Sequence, residues 1–103
     1  MAAKLSRDII NTINAYLSVL HEHNMKFDAV WLFGSFAENR DSQDSDIDIA
    51  MVMRDVKSKF YKELELTRYR RHIDNRIEPH IINADDLDSP FYEEVTKRGV
   101  RIA

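Results

Sequence analysis

Alternating helical and strand patterns predict an α/β (α+β) domain, one sheet with helices covering a face. Three observations carry this. Ile9, Ile10, Ile13, Leu17 and Leu20 form an apolar stripe at helical spacing. Ala29–Phe33 is a short apolar run closed by Gly34, and residues 46–52 alternate with period two; both read as strands. The 103 residues fit one domain, spanning 1–103.

The elements follow in order. Ser6 caps a first helix running to about residue 24, with Asp8 in the first turn where the helix dipole favours an anion. After the first two strands, residues 56–73 read as a second long helix with Phe60, Leu64 and Ile73 facing inward. Residues 77–82 form a third strand, and Pro79 places it at a sheet edge. Ser89 and Pro90 supply an N-cap and first helical position. That helix is expected to end on Gly99 as a left-handed cap, before a short strand at 100–102.

Composition narrows the function classes. The net charge of -3 gives no global field for nucleic acid, so no duplex binding is expected. The absence of cysteine removes disulfides and thiolate metal sites and fits the cytoplasm. No run approaches the ~20 apolar residues of a membrane span, and residues 1–7 carry no apolar signal core.

The chemistry gathers at two places. Asp46 and Asp48 lie two apart on a strand, so their carboxylates share a side and can converge on metal ions. Hard oxygen donors suit Mg²⁺. Gly34 and Ser35 follow a buried strand, where backbone N–H groups and a hydroxyl can cradle phosphate. Residues 36–39 are a possible helix N-terminus beside them. Glu78, on the third strand, supplies a further carboxylate if the strands neighbour one another. A phosphate cradle beside a carboxylate pair is what nucleotidyl transfer needs.

Gly34-Ser35, ten residues, then Asp46-Ile47-Asp48 resembles the signature of the DNA polymerase β superfamily of nucleotidyltransferases. By chance this spacing arises in about one such chain in a thousand, so the match is a signal. The small size resembles the minimal nucleotidyltransferases, which often pair with a separately encoded helical HEPN toxin. The resemblance implies a polymerase β-like palm, a small mixed sheet with helices on one side. It implies transfer of a nucleoside monophosphate, AMP from ATP or another NTP, to an acceptor hydroxyl such as a partner's tyrosine. Asp46 and Asp48 would hold two Mg²⁺ ions, with Glu78 holding the catalytic one. Gly34 and Ser35 would bind the phosphates. Relatives often carry a basic residue and a glycine where this chain has Glu38 and Asn39, and Arg40 is the substitute cation. The third carboxylate, often Asp, is here Glu78.

Other readings stand beside this one. Asp44, Asp46 and Asp48 alternate as in a calcium loop, but Ile49 and Asp55 occupy its glycine and glutamate positions, which rejects it. His21 and His23 do not share a helix face. His80 has the strand parity of Glu78 and either lines the site or packs. Arg68, Arg70, Arg71 and Arg76 are a solvated helix end or a patch for a nucleotide or an acidic partner, and Phe91 and Tyr92 are core or contact. Two functional alternatives remain: a non-catalytic module that neutralises a toxin by contact, and transfer to a small molecule such as an antibiotic with a partner subunit.

Overall fold

The computed structural model describes residues 6–42 and 44–103, so most of the N-terminal segment tested for a signal core lies outside it. The order is α1 (Arg7–Glu22), β1 (Ala29–Phe33), β2 (Ile47–Met53), α2 (Lys59–Arg68), β3 (Ile77–Asn83), α3 (Pro90–Arg98) and β4 (Val100–Arg101). The strands form one mixed sheet in the order β3-β2-β1-β4. β1 is antiparallel to β2 and β4, whereas β2 and β3 run parallel.

Local chemistry sets the helix ends. The Ser6 hydroxyl accepts from the Ile9 N–H at 3.2 Å. α1 stops because Asn24 turns left-handed (φ 60°). The Asn24 and Met25 N–H groups then bond back to the His21 and Leu20 carbonyls, both at 3.0 Å, and Met25 folds into the core. Ser58 and Ser89 cap the other two helices.

Gly99 ends α3 in extended geometry (φ -89°, ψ 177°), not as the left-handed cap expected. Space explains the glycine. A Cβ there would collide with the Val95 carbonyl oxygen and lie 2.7 Å from that of Leu32.

The two faces of β2 divide the core. Ile47, Ile49, Met51 and Met53 pack with α1 and with Leu66 of α2. Ala50 and Val52 pack with Ile82 and with Val95 of α3. Helices therefore cover both faces, not one. Small Ala50 leaves room for α3, and β4 after it must reach the free edge of β1.

α2 is shorter than the sequence pattern predicts. Beyond Arg68 the bonds tighten to i→i−3, as in Arg70 N–H to Thr67 (3.3 Å) and Ile73 N–H to Arg70 (2.9 Å). Phe60 and Leu64 face solvent rather than the core, while Ile73 packs partly as expected. Leu66, roughly 200° around the helix from Leu64, takes the buried stripe.

Tyr16 joins α1 to α2. Its hydroxyl, wholly buried, donates to the Leu66 carbonyl at 2.6 Å. Burial pushes the phenol far up, against the opposing charge of Arg70, so it stays a donor. Tyr16→Phe should cost about 0.5–1.5 kcal/mol, which calorimetry would show as a melting temperature lowered by roughly 5 °C.

The outer edge of β3 is blunted, as edge strands require. Arg70 donates to the Ile77 carbonyl at 2.6 Å, Pro79 offers no N–H, and Glu63 accepts from the Ile81 N–H at 2.8 Å. Pro79 thus sits on the edge strand that the sequence assigned to it. Among the described residues, no helix is long and apolar enough to cross a membrane.

Candidate active site

Asp48 lies on an inner strand, opposite Phe33 of β1 and beside Glu78 of β3 in register. Strands are ~4.8 Å apart, so Glu78 is an immediate neighbour. The Asp48 carboxylate is half-buried, and burial is the main cause that pushes its pKa up. His80 opposes that shift, and the charges of Asp46 and Glu78 add to it. His80 Nε2 lies 3.5 Å from Asp48 Oδ1. That nitrogen is buried, and at 3.5 Å its contact with Asp48 is at the outer limit of a hydrogen bond.

Gly34 closes the other side of Asp48. It turns left-handed at the end of β1 (φ 78°), and a Cβ there would sit 2.5 Å from Asp48 Oδ2. Glycine is thus required twice, by conformation and by the carboxylate packed against it.

Asp46 stands one residue before β2, not inside it, and is exposed. The strand begins where the Ile47 N–H donates to the Arg76 carbonyl at 2.8 Å. Arg76 is itself held by Asp74, whose carboxyl its hydrogen bonds keep low. Glu78 Oε1 accepts from Arg70 Nη1 at 3.2 Å.

Asp46, Asp48 and Glu78 therefore share one neighbourhood. Among the described residues they do not converge as a ready metal cage. Asp48 turns to His80, and Glu78 to Arg70.

Ser35 opens a single turn rather than the helix expected at 36–39. The Glu38 N–H donates to the Gly34 carbonyl (3.1 Å) and the Arg40 N–H to that of Ser35 (2.8 Å). Asn39 closes the turn left-handed (φ 57°), the conformation glycine favours and asparagine tolerates. Phe36 and Ala37 are buried and pin the turn to the core.

Glu38 collects two cations. Arg40 Nη2 is 3.0 Å from its carboxylate, and Arg98 Nη1, from the end of α3, is 3.8 Å away. Arg98 had no sequence signal linking it to the site, because the contact is non-local. His80 did have one, its strand parity. His80 also stacks edge-on with Phe33 (5.2 Å), and Phe33 with Phe91 (5.5 Å), forming an aromatic wall beside Asp48.

Solved structures share this fold. One chain of a toxin–antitoxin structure with AMP-PNP aligns at TM-score 0.66 and 19% identity, over 91% of this chain and 72% of that one. A tri-AMPylated Shewanella oneidensis HEPN toxin in complex with MNT antitoxin contributes a chain at TM-score 0.62 and 18% identity, covering 92% and 71%. A mutant MntA–HpeT toxin–antitoxin structure gives TM-score 0.63 at 17% identity, covering 87% and 71%. Comparison with curated proteins returned no match. The sequence profile "Polymerase beta, Nucleotidyltransferase" matches residues 11–103, a span holding every site residue described above, and the chain belongs to that family.

Proposed function

We propose that this protein is a Mg²⁺-dependent nucleotidyltransferase that moves AMP from ATP to a hydroxyl, a tyrosine of a separately encoded HEPN-type partner. The observation that carries the reading is Asp48, held between Gly34 of the phosphate turn and Glu78 of the neighbouring strand. The similar folds come from complexes with AMP-PNP and with an AMPylated HEPN toxin.

The donor set fits Mg²⁺. Asp46, Asp48 and Glu78 offer hard oxygens, and the charges of Asp46 and Glu78 add to the burial that raises Asp48. They would hold two ions, which neutralise phosphate charge and polarise the reacting oxygens. Gly34 and Ser35 would receive the β- and γ-phosphates. Arg40, joined by Arg98, would turn from Glu38 to the triphosphate. Glu78 would orient the acceptor hydroxyl. The acceptor oxygen bonds to the α-phosphorus as the bond to the β-bridging oxygen breaks. Pyrophosphate leaves, and the hydroxyl proton passes to solvent. The reaction belongs to the cytoplasm, where ATP and Mg²⁺ are supplied.

Thermal melting with Mg²⁺ and ATP tests the binding half. At ten times the dissociation constant the gain is about 1.4 kcal/mol, or roughly 5–10 °C. A folded chain whose melting is unmoved at millimolar Mg²⁺ and ATP has no such site. Label from α-phosphate-labelled ATP on a co-expressed HEPN-type protein tests the transfer. A complex that neutralises the toxin without labelling it would favour the contact-only reading.

A further inference from the structure

Among the described residues, three of the five exposed large hydrophobics lie on α2, the others being Leu87 and Phe91. Phe60 is 66% exposed, Tyr61 70% and Leu64 45%. The Phe60 and Tyr61 rings meet edge to face at 5.4 Å. Clustered exposed aromatics mark an interaction surface more than scattered ones do.

A pocket of about 240 Å³ leads from this face toward the active site. Phe60, Glu63, Leu64 and Thr67 of α2 form one side, with Glu63 engaged by the Ile81 N–H, and Glu78, Pro79 and His80 of β3 form the other. It follows the edge strand, and two of its walls, Glu78 and His80, are residues of the site itself. Ligand pockets run about 300–1,000 Å³, so this one is sized for a side chain rather than a free nucleotide. Further along α2, Leu64 and Thr67 also border a second groove with Arg68, Arg70 and Arg71. Arg70 is committed to Glu78, whereas Arg68 and Arg71 are exposed.

We propose that the outer face of α2 docks the acceptor protein. An apolar side chain of the partner sits on Phe60 and Leu64, and acidic residues beside it meet Arg68 and Arg71. The acceptor side chain enters the β3 pocket with its hydroxyl toward Glu78. This rests on the nucleotidyltransferase reading and supplies the acceptor surface for it. Of the contacts expected from sequence, this proposal uses Arg68 and Arg71, and it places the apolar anchor on α2.

Two synthetic peptides test it. Each carries one tyrosine flanked by leucines; one is otherwise rich in glutamate, the other in lysine. With Mg²⁺ and α-labelled ATP, the acidic peptide should be labelled at least about tenfold faster at equal concentration. Phe60→Ala with Leu64→Ala should lower its kcat/KM by about tenfold or more. Arg68→Glu with Arg71→Glu should reverse the preference. Melting with and without Mg²⁺ and ATP is read for every variant. A chain that shifts with Mg²⁺ and ATP but labels neither peptide, or both equally, overturns the docking proposal alone. So does an α2 double variant that labels as the parent does. No shift in the parent overturns the nucleotidyltransferase reading and the docking with it. A dimer that Leu64→Glu dissociates would assign the face to a second copy and overturn the acceptor proposal.

Discussion

Asp48→Asn should lower nucleotidyl transfer by about a hundredfold to a thousandfold or more while leaving the fold at least as stable. The side chains are nearly isosteric, so packing against Gly34 survives. What goes is the charge between Gly34 and Glu78. Stability moves the other way from activity. Burial raises Asp48 above its unfolded value, so its ionised form weighs against the native state. That penalty is absent below the unfolded value near ~3.9 and is complete once pH rises past the folded one. Asparagine removes it. The variant should therefore melt at or above the parent temperature at neutral pH, and the difference should vanish in acid. Transfer that persists in both Asp46→Asn and Asp48→Asn would remove these residues from the mechanism.

Much of this was legible because it is local. The end of β1 at Gly34, the α1 stripe apart from half-buried Ile10, and the Ser-Pro start of α3 are short-range patterns that lie where the sequence put them. Glu78 was readable only as a conditional, since strand order does not follow from spacing; the parallel pairing of β2 and β3 supplies it. α2 misled because helical period gives stripes without saying which one is buried. Its margin position lets Leu66 alone reach the core, and Phe60 and Leu64 are left outside. Glu38 looked like a missing cation. Its arginine from α3 is sixty residues away and invisible to any local pattern. His80 shows the limit of parity, which gave its face but not its contact with Asp48.

Gly34→Ala should damage both stability and transfer, by two separable routes. The first is conformational. Gly34 sits at φ 78°, and a Cβ in the left-handed region costs about 1–2 kcal/mol. The second is steric. The new Cβ would lie 2.5 Å from Asp48 Oδ2, so the carboxylate must swing away from the phosphate turn. Misplacing a reacting group by about 1 Å can cost about a hundredfold, and transfer should fall by that order. The melting temperature should fall by roughly 5–10 °C. A double-mutant cycle separates the routes. In an Asp48→Ala background the collision partner is gone, so Gly34→Ala should cost only its conformational share. Equal costs in both backgrounds would mean that Gly34 serves the turn alone. Full transfer by Gly34→Ala in the otherwise unaltered chain would remove the close packing of glycine on Asp48 from the mechanism.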